Sequence, residues 1–122
     1  MIRDVTDLEV YIESLRLLKK LYVLLRKIPR SEIDTVRQCK KCSKSIPANI
    51  AEGFAKRASS KEFKRFLKIA LGSSDELITH LRTLVITVPR LTSEAKEVAL
   101  EYKVLSKRIN SLHKNWCSDG YF

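Results

Sequence analysis

At 122 residues, the chain is long enough for one domain with a hydrophobic core of its own, without disulfides or a structural metal. It has only three glycines and three prolines, which favours long helices and argues against a sheet with its many turns. The net charge is +10, the N-terminus lacks an apolar secretion signal, and no segment approaches the roughly 20 apolar residues of a membrane span. We therefore expect a cytoplasmic all-α protein with no membrane partner.

Four helices are predicted in a single domain, residues 1–122. They cover about residues 7–28, 32–53, 60–88 and 93–116, and a loose tail follows at 117–122. Two segments have the spacing of a helix N-terminal capping box, Thr6-Asp7-Leu8-Glu9 and Ser59-Ser60-Lys61-Glu62. Gly53 is expected to end the second helix.

The fourth predicted helix has the most regular apolar pattern. Its inward positions are Ala95, Val98, Tyr102, Leu105, Ile109, Leu112 and Trp116. Because the connections between the helices are short, neighbouring helices should run antiparallel, as in an up-down-up-down four-helix bundle.

The first helix carries two apolar stripes, each with the three-and-four spacing of a packed helix. We assign one stripe to the core: Leu8, Tyr11, Leu15, Leu18, Tyr22 and Leu25. The other lies roughly 100° further round the helix, and the third helix has a similar extra stripe, so we assign both to contacts between subunits. This predicted oligomer interface consists of Val10, Leu17, Leu21, Leu24, Ile28, Leu67, Leu71, Ile78 and Val85. The alternative is a wide core-facing sector on each helix.

Basic charge is concentrated in residues 37–68, which hold ten basic and two acidic residues. A polyanion such as RNA or DNA is the partner that this charge favours, because each cation placed against a phosphate releases counterions. The candidate nucleic-acid-binding residues are Arg37, Lys40, Lys41, Lys44, Lys56, Arg57, Lys61, Lys64, Arg65 and Lys68. The bundle topology would add Arg3, Lys107, Arg108 and Lys114 to the end that contains Lys56–Lys68. A solvated basic face without a ligand is the alternative.

The least ordinary segment is Ser45-Ile46-Pro47-Ala48-Asn49-Ile50-Ala51-Glu52-Gly53. The wider segment Gln38–Gly53, with Phe63–Leu77, the opening Asp7-Leu8-Glu9-Val10-Tyr11 and the Ile28-Pro29 break, resembles the bacterial four-helix-bundle family named after 23S ribosomal-RNA intervening sequences. The resemblance covers about residues 5–115. Related proteins include the accessory variability determinant of diversity-generating retroelements, a basic partner of a reverse transcriptase.

This resemblance implies a ring-like homopentamer of bundles with no catalytic activity and no cofactor, which binds RNA or DNA through its basic surface. A reverse transcriptase is the protein partner that it suggests. A purely structural homo-oligomer is the other function that we consider. The Ser45–Gly53 segment and Gly72-Ser73-Ser74 are interpreted as positions of close helix packing and not as active sites.

A zinc site is one alternative, because Cys39, Cys42, His113 and Cys117 include zinc ligand types. In the predicted bundle the Cys39–Cys42 pair lies roughly 20 Å from the His113–Cys117 pair, which is too far for one ion. The odd cysteine count favours reduced thiols, and a Cys-x-x-Cys inside a helix does not favour redox chemistry. We therefore predict no metal.

Two enzymatic alternatives are weaker. Arg108 and His113 have the Arg-x-x-x-x-His spacing of helical HEPN ribonucleases, but five residues turn a helix by about 140°, so the two side chains should diverge. Di-iron chemistry is not favoured either, since neither His80 nor His113 has a glutamate three residues before it. We expect no enzymatic activity.

Overall fold

The structure, a computed structural model, describes residues 2–116. The four predicted helices are present as α1 (Glu9–Leu25), α2 (Ile33–Ala55), α3 (Ser60–Thr87) and α4 (Thr92–Asn115), and the described residues include no strand. Short 3-10 turns precede α1, α2 and α4. No helix in this range has the length and apolarity needed to cross a membrane. The predicted tail at 117–122 lies outside the described residues.

Contacts between side chains show that successive helices run antiparallel. Cys42 on α2 contacts Glu76 on α3, whereas Phe54 near the end of α2 packs against Phe63 near the start of α3. Lys20 on α1 pairs with Glu97 and Glu101 on α4. Helix α1 packs against α2 and α4, and α3 also packs against α2 and α4. The molecule is therefore the predicted up-down-up-down four-helix bundle.

The helix termini agree with the predictions only in part. Ser59 caps α3, since its Oγ accepts a hydrogen bond from the Glu62 N–H at 3.2 Å. The predicted capping box at Thr6–Glu9 is wrong: Asp4 and Asp7 form a box around the 3-10 turn Val5–Asp7, and Leu8 begins α1 without a side-chain cap. Gly53 does not end α2, which continues to Ala55.

The predicted core face of α4 is confirmed, because all seven assigned residues are buried. The assignment for α1 is correct only in part: Leu8 and Leu25 are buried, and Tyr11 and Tyr22 pack against the core. Leu15, assigned to the core, is 41% exposed, whereas four residues assigned to subunit contacts lie inside the chain's own core: Val10, Leu17, Leu21 and Leu24. Ile28 packs at the edge of the core. Both stripes have the same heptad spacing, so periodicity did not distinguish them.

The second stripe of α3 also needs correction. Leu67 and Ile78 are buried in the core and are not available to a second subunit. Leu71 and Val85 are half-buried and pack against the core from its edge. The alternative interpretation, a wide core-facing sector on each helix, is therefore the one that the structure supports.

The Ser45–Gly53 segment joins α2 closely to α3. Asn49 Nδ2 donates hydrogen bonds to the carbonyl oxygen and Oγ of Ser45, at 2.8 and 2.9 Å, and Ser45 Oγ lies 2.8 Å from Ser73 Oγ on α3. Gly53 is buried, and a Cβ placed there would lie 2.5 Å from Phe66 Cβ. Close packing therefore explains Gly53. At Gly72 the same interpretation is wrong, since a Cβ there would meet no atom within 4 Å.

Candidate nucleic-acid interface

One end of the bundle brings together the α2–α3 turn, the start of the chain and the end of α4. The Phe63 ring packs edge-on against Trp116, with 4.7 Å between the ring centroids. The pKa of Asp4 is held below its ordinary value mainly by hydrogen bonds from Thr6, and the charge of Arg57 adds to this effect. The predicted grouping of these three segments is therefore correct. We call this end of the bundle, which contains the cations of residues 56–68, the basic end.

The outer face of α3 at the basic end carries a row of cations. At 100° per residue, Lys61, Lys64, Arg65 and Lys68 lie within an arc of about 100°. Arg65 forms an ion pair with Glu62, with a 3.2 Å distance from Nε to Oε2. Within residues 2–116, Lys61, Lys64 and Lys68 form no ion pair with a carboxylate. Their charges are therefore available to an external anion.

Aromatic rings hold the neighbouring cations in place. The Arg57 guanidinium lies 4.0 Å from the centroid of the Phe54 ring, and its Nη1 donates to the Phe54 carbonyl at 3.1 Å. Lys56 and Arg65 lie over the Phe66 ring at 5.0 and 4.4 Å. These cation–π contacts limit the freedom of the three side chains, which lowers the entropy lost when they bind a ligand.

The pKa of His113 is affected by burial and by the positive charges of this row. Its pKa lies below the ordinary value, first because the ring is partly buried and then because Lys68 and Lys64 are close. The imidazole is therefore neutral at neutral pH. His113 lies on the side of α4 that faces α3.

The four candidate residues on the first half of α2 form a separate group. Lys44 is twelve residues before Lys56, which corresponds to roughly 18 Å along a helix. Lys40 and Lys44 lie 5.3 and 6.0 Å from the centroid of the Tyr22 ring on α1. Arg37 pairs with Asp34, at 3.7 Å from Nη1 to Oδ1. The ten candidate residues are thus divided between the basic end and the side of the bundle.

Arg108 lies at the basic end, on the side of α4 that packs against α1. It lines two adjoining clefts between α1 and α4, together with Asp7, Glu9 and Glu13. Arg16 also lines the second cleft, so residues of both charges lie near Arg108, while His113 lies close to Lys68 and Lys64 of α3. The two members of the Arg-x-x-x-x-His spacing point toward different helices, and Ile109 between them is fully buried.

The candidate zinc ligands are also separated in the structure. Cys42 contacts Glu76, whereas His113 lies beside Lys64 and Lys68, which are eight or more residues earlier on α3 and so roughly 12 Å or more away. Cys117 lies outside the described residues. Cys39 is fully buried and burial raises its pKa to about 12.

A different cluster was missed in the sequence. Cys42 Sγ donates a hydrogen bond to Glu76 Oε2 at 3.1 Å, and His80 Nε2 lies 3.1 Å from the same oxygen. All three potential ligand atoms lie within 4.8 Å of one another. The signal was the Glu76-x-x-x-His80 spacing, which places two side chains on one face of a helix. The di-iron pattern has a glutamate three residues before the histidine, whereas Glu76 lies four residues before His80.

Comparison with known proteins identifies one family and no curated relative. No curated protein matches the chain significantly. The family model described as 23S rRNA-intervening sequence protein matches residues 6–111, which is most of the chain and includes α1, α2, α3 and most of α4. The matched range agrees with the extent of the sequence resemblance, about residues 5–115. The chain belongs to the 23S rRNA-intervening sequence protein family.

Proposed function

We propose that this protein is a non-enzymatic, homo-oligomeric nucleic-acid-binding protein that contacts the phosphate backbone with its basic end. The observation that carries the proposal is the row of Lys61, Lys64 and Lys68 on α3, three cations without a carboxylate partner in the described residues. Phosphate contacts made by such a row hold a nucleic acid in place without reading its sequence.

The surroundings of the row support phosphate binding. The row begins in the first turn of α3, where the helix dipole adds a positive partial charge. Lys56, Arg57 and Arg65 are held beside it by the rings of Phe54 and Phe66. The α2 group of Arg37, Lys40, Lys41 and Lys44 would extend the contact along the side of the bundle. The family name refers to 23S rRNA, so structured RNA is the first ligand to test.

Two exposed apolar surfaces support self-association. One is the outer face of α1, where Ile12, Leu15 and Val23 are each more than 40% exposed. The other is a groove of about 560 Å³ between α3 and α4, bordered by Ile86 and Leu100, which are 77% and 65% exposed. A ring requires two different surfaces that fit each other, because each subunit contacts its neighbours head to tail. The number of five subunits comes from the family resemblance, as does a reverse transcriptase as the protein partner.

The test compares two triple charge reversals with the same change in net charge. One variant carries Lys61→Glu, Lys64→Glu and Lys68→Glu at the basic end. The control carries Lys19→Glu, Lys27→Glu and Arg30→Glu, which are exposed residues away from that end. Binding of a labelled structured RNA and a labelled DNA duplex is measured over a range of salt concentrations.

For the wild type, we expect the logarithm of affinity to fall linearly with the logarithm of salt concentration, with a slope of several units if about five or more phosphates are contacted. The basic-end variant should bind at least about tenfold more weakly and show a flatter slope, whereas the control should change much less. Equal losses in both variants would mean general attraction to net charge. Absence of wild-type binding at low salt would favour the purely structural oligomer.

Catalysis is tested in the same samples by following the length of the RNA. The proposal predicts that it stays intact. Cleavage that is lost in His113→Ala while affinity is retained would instead identify a ribonuclease.

A further inference from the structure

The Cys42–Glu76–His80 cluster joins α2 to α3 halfway along the bundle, away from the basic end. Cys42 is buried on the face of α2 that packs against α3. Glu76 and His80 are one turn apart on α3, and their side chains are 56% and 24% exposed. A thiol, a carboxylate and an imidazole therefore converge at a position that solvent can reach from one side.

The three donor types match the preferences of zinc. Thiolate sulfur, imidazole nitrogen and carboxylate oxygen are the groups that bind Zn²⁺ in proteins, and three protein ligands leave the fourth tetrahedral position open. Bonds of about 2.0 Å to nitrogen and oxygen and about 2.3 Å to sulfur place neighbouring ligand atoms roughly 3.3–3.6 Å apart. The two observed separations from Glu76 Oε2 are 3.1 Å, and all three atoms lie within 4.8 Å. Side-chain rotations that bring Cys42 Sγ and His80 Nε2 to about 3.5 Å from each other would complete the geometry.

We propose that Cys42, Glu76 and His80 form a binding site for a divalent zinc ion that clamps α2 to α3. On binding, the Cys42 thiol releases its proton to solvent and the thiolate coordinates the ion. His80 coordinates through Nε2 and keeps its proton on Nδ1, and Glu76 uses the oxygen that now contacts both partners. A water molecule would complete the tetrahedron on the exposed side.

Burial, followed by the hydrogen bond and charge of Glu76, raises the pKa of the Cys42 thiol to about 12, so the bound ion must displace the thiol proton. Glu76 has a pKa below its ordinary value because it accepts hydrogen bonds from Cys42 and His80, so the carboxylate is ionised at neutral pH. One negative carboxylate and one thiolate would balance the charge of Zn²⁺. Lys41 lies close enough to act on both Cys42 and Glu76, and its positive charge opposes cation binding. We therefore expect Lys41→Gln to strengthen the site.

The experiment uses two double variants that remove the same residue types. Cys42→Ala with His80→Gln removes two proposed ligands, and Cys39→Ala with His113→Gln removes a cysteine and a histidine that are not proposed ligands. The full-length protein is titrated with Zn²⁺ by calorimetry, and with Co²⁺ while its absorption spectrum is recorded. Tetrahedral Co²⁺ with a thiolate ligand gives intense visible bands and a sulfur-to-metal charge-transfer band.

We expect one Zn²⁺ per chain, the charge-transfer band with Co²⁺, and a rise in melting temperature on addition of Zn²⁺, because the ion binds the folded state. The Cys42→Ala, His80→Gln variant should lose the band and at least about tenfold in affinity, and the matched control should retain both. Should either double variant fail to fold, the single His80→Gln change, at a partly exposed position, gives the same comparison. Retention of affinity and band in the ligand variants, or an equal loss in the control, would overturn the proposal.

Discussion

Gly53 on α2 and Phe66 on α3 approach so closely that a Cβ on Gly53 would lie 2.5 Å from Phe66 Cβ and 3.0 Å from Phe63 Cδ1. The obstructing atom, Phe66 Cβ, is attached directly to the α3 backbone, so a side-chain rotation cannot move it away. This contact sets the separation of α2 and α3 beside the basic end and thereby positions the lysine row on α3.

The Gly53–Phe66 contact predicts opposite effects of the same substitution at two glycines. Gly53→Ala should lower the free energy of unfolding by about 1–3 kcal/mol, because the added methyl group forces α2 and α3 apart. Gly72→Ala should raise it by about 0.5–1 kcal/mol, since Gly72 lies in a helix with open space around its Cα and alanine favours the helix. Urea unfolding followed by circular dichroism measures both. A stabilised Gly53→Ala variant would contradict the packing argument.

The burial pattern of α1 predicts which face tolerates charge. Leu17 and Leu21 are 3% and 0% exposed, so changing both to Glu should cost several kcal/mol and unfold the chain, because two charges would be placed in the core. Ile12 and Leu15 are 44% and 41% exposed, so changing both to Glu should leave the fold intact. Circular dichroism separates the two outcomes.

The same variants test the proposed assembly. If the exposed face of α1 contacts a neighbouring subunit, the Ile12→Glu, Leu15→Glu variant should be a folded but smaller species in light scattering. A wild type that is monomeric at micromolar concentration would remove the oligomer from the proposal. An assembly of unchanged size in this variant would place the interface on another surface.

Cys39 predicts a pH dependence of stability. Burial raises its pKa from 9.0 to about 12, so between these values the unfolded chain releases the thiol proton while the folded chain retains it. The unfolded state then binds fewer protons, and the free energy of unfolding falls as pH rises, by up to about 1.4 kcal/mol per pH unit. Below pH 9 this contribution is constant.

Comparison with Cys39→Val isolates the effect from the tyrosines and lysines that titrate in the same range. Urea unfolding is measured for both proteins from pH 7 to above pH 9. The stability of the wild type relative to Cys39→Val should decrease only above about pH 9. A difference that stays constant across the whole range would show that the Cys39 thiol ionises equally in both states.

Local sequence patterns determined the four helices of this protein, the core face of α4 and the position of its basic charge. The four helices follow from hydrophobic periodicity and from few helix breakers, and their predicted bounds differ from the observed ones by three residues or fewer. The core face of α4 was predictable because it carries a single regular apolar stripe. The concentration of basic charge in residues 37–68 is a property of the sequence itself.

Tertiary packing decided the remaining features, since each depends on contacts between residues that are far apart in the chain. Helix α1 has two stripes of equal spacing, and only the positions of α2 and α4 determine that Leu21 is buried and Leu15 is exposed. Arg108 lines a cleft with Asp7 and Glu9 because α4 lies beside the first turn of α1. Cys42 and the Glu76–His80 pair are 34 and more residues apart, so the cluster exists only because antiparallel packing places α2 and α3 at the same level.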